Sequence, residues 1–140
     1  MIVVDTNVVS AFRRLERADV NFAAWARSTP ATDLYLSVVT IQELETGVLL
    51  IERRDPAQGA MLRDWFESRI VAGFHGRVLP VDMVVARRCA HLHVPDRRSE
   101  RDALIAATAL VHQMPVATRN VADFAATGVG LINPWEYAGP

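Results

Sequence analysis

The chain opens on an unbroken apolar run, Met1-Ile2-Val3-Val4, that stops at Asp5. A short run with no polar alternation reads as a strand buried on both faces, and such strands belong to parallel sheets covered by helices. The rest of the chain continues this way. Val8 to Leu15 has apolar residues at helical spacing, and Val20 to Arg27 can form a second short helix before Ser28-Thr29-Pro30 breaks it. Leu34 to Val39 reads as a second strand. A long helix is predicted from Ile41 toward Arg54, with Asp55-Pro56 separating it from another over Ala57 to about Ala72. Arg77 to Val81 reads as a strand, Asp82 to His93 as a helix, and the alanine-rich stretch Asp102 to His112 as a buried helix. Pro115 to Thr118 and Gly130 to Asn133 read as strands flanking a short helix at Val121 to Ala125. This alternation predicts a single three-layer α/β domain over residues 1–140, with a mostly parallel sheet of four or five strands.

Composition narrows the chemistry. With 51% apolar residues, 140 residues can fill one core, and the apolar surplus predicts a subunit interface. No apolar run approaches a membrane span, and the opening run is too short for a signal peptide, so a soluble, cytoplasmic protein with no membrane partner is expected. The single cysteine, Cys89, cannot form an internal disulfide and reads as a buried thiol. All 15 basic residues are arginine. The absence of lysine excludes Schiff-base chemistry, the Walker A phosphate loop, protein-kinase chemistry and Ser-Lys dyads, whatever codon bias produced it. The formal net charge of −1 argues against a nucleic-acid partner, but setting aside four candidate site acids turns it into +3. The pairs Arg13-Arg14, Arg53-Arg54, Arg87-Arg88 and Arg97-Arg98, with Arg101 nearby, could grip phosphates as planar forks, although solvated helix faces explain any one pair more simply.

The four acids are Asp5, Glu43, Asp102 and Asp123, each read as lying where a strand hands over to a helix. In a parallel α/β sheet such handovers share one edge, so the acids can meet in one pocket. Taken singly, three have a structural explanation: Thr40 to Glu43, Ser99 to Asp102 and Asn120 to Asp123 are spaced as helix-capping boxes. Asp5, ending a buried strand, needs a partner, and a metal is one. Hard oxygen ligands without Cys or clustered His favour Mg²⁺ or Mn²⁺ over zinc. His91 and His93 face different ways on a helix, and His75 and His112 stand alone as solvated or packed residues. A carboxylate-held metal suits phosphodiester hydrolysis, with Thr6, Thr118, Asn7 and Asn120 placed to support the acids.

The blocks Ile2-Val3-Val4-Asp5-Thr6-Asn7, Thr40-Ile41-Gln42-Glu43-Leu44, Asp102 to Ala109 and Val116 to Phe124 resemble, in order and nearly end to end, the signature blocks of PIN-domain ribonucleases. Within these, the chain resembles the VapC toxins of type II toxin–antitoxin systems, especially the FitB-like subgroup, and Asn133-Pro134-Trp135 is similar too. The resemblance implies a PIN fold and an Mg²⁺-dependent RNA endonuclease in which Mn²⁺ can substitute. It implies that Asp5, Glu43, Asp102 and Asp123 form the metal site, with Thr118 at the family's hydroxyl position. It also implies a homodimer, assembling as a heterotetramer or larger with a VapB-like DNA-binding antitoxin through which alone promoter DNA is met. The charged run Asp96 to Arg101 departs from the family's usual sequence before Asp102. Two other readings stand beside it. A non-catalytic PIN scaffold would bind an antitoxin and share in promoter repression without cutting. A haloacid-dehalogenase or receiver domain also begins with a strand ending in Asp, but both depend on a lysine, and the former needs an acid where Asn7 stands.

Overall fold

A computed structural model describes residues 1–139; Pro140, the last residue of the expected domain, lies outside the described residues. Five strands, β1 Ile2–Val4, β2 Leu34–Ser37, β3 Val78–Leu79, β4 Val116–Ala117 and β5 Leu131–Ile132, form one sheet in the order β3-β2-β1-β4-β5. Every pairing is parallel, with Ile2 opposite Leu34, Val3 opposite Val116 and Val4 opposite Ala117. The helices are α1 Thr6–Arg13, α2 Val20–Ser28, α3 Val38–Arg54, α4 Pro56–Trp65, α5 Met83–Leu92, α6 Glu100–Val111 and α7 Val121–Phe124. One π-helical segment, Phe66–Val71, extends α4 and delivers Phe66 and Ile70 to the core. Among the described residues no helix is long and apolar enough to cross a membrane.

Strand alternation splits the core into two layers. Val4, Leu34, Leu36 and Ala117 face α1, α2, α3 and the π segment, where Phe22, Trp25, Val48 and Phe66 fill the space. Val3 and Val116 face the other way, against Ile105, Ala106 and Ala109 of α6 and Phe124 of α7. Helix α5 packs outside α6 through Val85 and Cys89 against Ala103 and Ala107. The expected buried, alanine-rich helix is therefore the central post of one layer: residues 105–109 are fully or almost fully buried, and small side chains let α5 and the sheet both approach it.

Two expectations about the acids are corrected. Asp102 does not follow a strand, because α6 follows α5 through a helix-to-helix connection. Glu43 lies inside α3, whose first residue is Val38: Ser37, not Thr40, is the N-cap, its Oγ accepting from the Val39 amide at 3.1 Å. Ser37 is the residue that pairs with Leu79, so the strand ends and the helix begins at one buried position. Thr40 is fully buried within the helix, and its hydroxyl has no hydrogen-bond partner. The capping boxes fare unequally. Ser99 Oγ accepts from the Asp102 amide at 3.3 Å, whereas Asn120 caps α7 without any side-chain hydrogen bond.

Helices α3 and α4 form a tight hairpin. Arg63 of α4 forks onto Glu52 of α3, Nη2 to Oε1 at 2.9 Å and Nε to Oε2 at 3.1 Å, and also binds Glu45. Gly59 makes the close approach possible, since a Cβ there would lie 2.5 Å from Glu52 Cα and 2.9 Å from Glu52 N. That obstacle is backbone and cannot rotate away. Gly59→Ala is therefore expected to destabilise the fold by about 1–3 kcal/mol, despite alanine's better helix propensity. Chemical denaturation would check this, and an unchanged midpoint would show that the hairpin opens freely.

Candidate metal centre

Asp5 follows β1 and Thr118 follows β4, the two central strands between which the strand order reverses. The crevice beyond the carboxyl ends of such strands is where α/β sheets place their ligands. The backbone fixes the pair. The Asp5 amide donates to Ala117 O at 2.9 Å, and the Thr118 amide donates to Ile132 O at 2.9 Å. Asp5 is fully buried, and every oxygen of its carboxylate is engaged. Oδ1 accepts from the Thr6 amide at 2.8 Å, which caps α1. Oδ2 accepts from the Thr118 hydroxyl at 2.8 Å and from Asn7 Nδ2 at 3.3 Å. Thr118 Oγ1 in turn accepts from the Asn120 amide at 3.0 Å, and Asn7 Oδ1 accepts from the Arg119 amide at 3.2 Å. Thr118 and Asn7 thus touch Asp5 through their side chains, whereas Asn120 reaches it only indirectly, through its backbone amide on Thr118.

The remaining acids converge through a residue that sequence reasoning treated only as a possible phosphate contact. Arg101, at the second position of α6, places Nη1 2.9 Å from Asp5 Oδ1 and 3.3 Å from Glu43 Oε2. The same nitrogen lies 3.4 Å from the Thr6 hydroxyl. Its Nη2 lies 2.8 Å from Asp102 Oδ1, yet off the hydrogen-bonding direction, so this buried oxygen has no donor. Asp5, Glu43 and Asp102 are therefore gathered around one guanidinium. Asp123 is not among them: it is exposed on α7 and reaches Asp102 only as a like charge. Thr6 contributes its amide and a hydroxyl at the margin.

The electrostatics follow from this crowding. Burial pushes the Asp102 carboxyl above the usual carboxylate range; Arg101 pulls it back, and the charges of Asp5, Asp123 and Glu43 add to the rise. For Arg101 burial disfavours the charged form, but Asp5 first, then Glu43 and Asp102, outweigh it and raise its pKa. Hard oxygen donors, crowded like charges and an orphaned buried carboxylate oxygen are what an oxygen-seeking divalent cation requires, and the residues fit such an ion.

A second cluster lies apart from the sheet edge and amends the expectation that no cysteine or histidine joins a group of ligand-type side chains. Cys89, His93 and Glu100 have one ligand-type atom each within 4.8 Å of one another. His93 Nδ1 accepts from the Arg98 amide at 3.3 Å, which assigns the ring proton to Nε2, 3.1 Å from Glu100 Oε2. The Cys89 thiol points at the other oxygen of Glu100, 3.9 Å away. With Nε2 occupied by a proton, the cluster is a polar staple between α5 and the start of α6. Burial, then Glu100, pushes the Cys89 thiol up, so it is a poor nucleophile.

A cleft of about 460 Å³ runs from Thr6 and Glu43 between α1, α3 and α4, floored by Leu44, Val48 and Trp65, with Arg13 and Arg54 along it. Arg13 also lies over the Trp65 ring, 5.9 Å from its centroid. Arg98 donates from Nε to Leu92 O at 2.7 Å, so this member of its pair is structural. Arg53, Arg87, Arg88 and Arg97 are exposed.

Comparison with known proteins agrees with these features. The PIN domain family model matches residues 2–129. A VapC ribonuclease of Sinorhizobium fredii is 37% identical over 145 residues, spanning 99% of this chain and 100% of that protein. Toxin FitB of Neisseria gonorrhoeae is 37% identical over 142 residues, spanning 97% of this chain and 99% of that protein. In three dimensions the chain superposes on a structure of FitAB bound to a DNA fragment with a TM-score of 0.88 and 35% identity, covering 97% of this chain and 96% of that one. PIN-domain VapC ribonucleases are generally metal-dependent, in keeping with the oxygen donors gathered here. The parallel five-stranded sheet, the family model and the end-to-end relatives give one result: this chain belongs to the PIN-domain family, in its VapC and FitB-like branch.

Proposed function

We propose that the chain is a metal-dependent RNA endonuclease, the toxin of a type II toxin–antitoxin pair, built as one PIN domain over residues 1–140. The observation that carries this reading is the placement of Asp5 at the strand-order reversal, locked by Thr118 and Asn7 and facing Asp102 and Glu43 across one guanidinium. Asp5, Asp102 and Glu43 would hold the ion, with Asp123 contributing negative charge from the rim. Mg²⁺, or Mn²⁺ in its place, supplies an acidified water and neutralises charge on the phosphodiester oxygens when bound. The protein's own part is geometric. Thr118 and Asn7 hold Asp5 Oδ2, and the Thr6 amide holds Oδ1, the oxygen that meets Arg101. Exposed arginines on α3 and α5 would attract the RNA backbone.

The relatives' names and assemblies support the partners. The neighbouring structures are of FitAB and of FitAcB, and one of them carries DNA. By analogy this chain would pair with a VapB-like antitoxin, as a heterotetramer or larger, and meet promoter DNA only through it. The cleft between α1, α3 and α4, with Leu44, Val48 and Trp65 on its floor and Arg13 and Arg54 along it, suits a protein segment that carries apolar and acidic side chains. Exposed Met83 and Val84 on α5 and Leu49, Leu50 and Met61 on α3 and α4 support further protein contacts, including a homodimer. We place its action in the cytoplasm, where its RNA substrate is found.

Incubating the purified chain with RNA tests the reading directly. Cleavage is expected with Mg²⁺ or Mn²⁺ and none in EDTA, and expression without the antitoxin should arrest growth. Full cleavage in EDTA would remove the metal from the mechanism. Normal growth together with inert RNA would leave a binding scaffold instead.

A further inference from the structure

We propose that Arg101 is a built-in cation that occupies the carboxylate centre until a metal displaces it, so that this residue sets the metal concentration at which the protein becomes competent. The inference rests on the reading of Asp5, Glu43 and Asp102 as a metal site. Among the described residues, Arg101 is the only cationic side chain paired with any of these three acids, and it meets all of them. It does so through the oxygens a divalent ion needs. Nη1 takes Asp5 Oδ1 and Glu43, and Nη2 stands against Asp102 Oδ1. An ion bound at about 2 Å from these carboxylate oxygens would stand no more than about 5 Å from a guanidinium already 2.8–2.9 Å from the same atoms, a like charge competing for the same negative charge. The two cations therefore oppose each other on Asp5 and Asp102, and each weakens the hold of the other.

Two features make Arg101 suited to leaving. Its contact with Asp102 is imperfect, since Oδ1 lacks a hydrogen bond despite the short approach; the fork fits Asp5 at the expense of Asp102. Its side chain is one-third exposed, so withdrawal uncovers no core. An adjoining cleft of about 410 Å³ between α3 and α6, lined by Arg101 itself, by Gln42 and Glu100 and by the apolar Val39 and Leu104, leaves the side chain room to swing aside. The arrangement is a competition between two ligands for one site, one of them covalently tethered. Whatever the tethered cation contributes to the metal-free state must be given up when the ion binds.

Titration of the full-length chain with Mn²⁺, followed by calorimetry and by the electron paramagnetic resonance of free Mn²⁺, tests this without reference to cleavage. Arg101→Met should bind Mn²⁺ at least about fivefold more tightly than the wild type and, free of metal, should melt at a lower temperature. Arg101→Lys keeps a charge without the fork and should fall between them, and it carries the test if the methionine variant does not fold without metal. Equal or weaker Mn²⁺ binding in both variants, with Asp5→Asn abolishing it, would overturn the proposal while leaving the metal site intact. Absence of Mn²⁺ binding in the wild type and in both variants would overturn the metal reading itself, and this proposal with it.

Discussion

Asp5→Asn is expected to lower RNA cleavage by about a thousandfold or more, close to 4 kcal/mol of transition-state stabilisation, at saturating Mg²⁺. The substitution preserves shape and removes one charge and one acceptor from the centre of the site. Asparagine can still accept from the Thr6 amide, so the cap of α1 survives. Its new amide, however, would face Thr118 Oγ1 and Asn7 Nδ2, both of which now donate to Oδ2. The stability cost should stay near 1–2 kcal/mol, because Arg101 keeps Glu43 and Asp102 as partners. Cleavage assays beside thermal unfolding separate the two effects. A variant that cuts RNA at the wild-type rate would remove Asp5 from the chemistry, and one that is simply unfolded would show it in the melt.

Asp102→Asn should behave oppositely on the two readouts. Cleavage should fall by a similar factor, while the metal-free protein becomes more heat-stable near neutral pH. The sign follows from the environment. The folded-state pKa of Asp102 is raised, chiefly by burial, so its ionised form is penalised in the native state. Stability from this group is complete below its unfolded pKa and is lost as pH rises through the folded value. The neutral asparagine never meets that penalty. Its stabilising effect should therefore shrink as pH is lowered toward the ordinary carboxylate range and vanish below it. Melting temperatures of both proteins across that range, in chelator, would show the curves converging at low pH. A variant that melts below the wild type at neutral pH would mean that the contact with Arg101 outweighs burial.

Asp5, the alternation of strands and helices and the buried helix of residues 105–109 were all readable, because each depends on local pattern: an apolar run with a charge at its end, or alanines at helical spacing. The start of α3 was not. Ser37 and Thr40 are both good caps, and the choice is made by the pairing of Ser37 with Leu79, a partner some forty residues away. Asp102 was singled out by its block of residues, but its supposed place after a strand was wrong, since nothing local distinguishes a helix that follows a helix. The π turn at Phe66–Val71 left no trace in the apolar spacing, and the expected helix runs through it. Arg101 was visible only as one more arginine before an acid. Its role comes from α6 lying against β1, which brings residue 101 to residues 5 and 43. The absence of lysine correctly excluded other enzymes, yet it did not leave the carboxylates without a counter-charge.

The hydrogen bond from the Asp5 amide to Ala117 O makes this acid part of the central ladder, while Asp123 rides on a four-residue helix at the surface. Asp5 and Asp123 are therefore expected to be released by openings of very different size. Exposing Asp5 to solvent requires the middle of the sheet to come apart, which is the unfolding of the molecule; releasing Asp123 requires only the loosening of one short turn. The fold thus fastens one of its four acids to the middle of the sheet and leaves another on a single short surface turn.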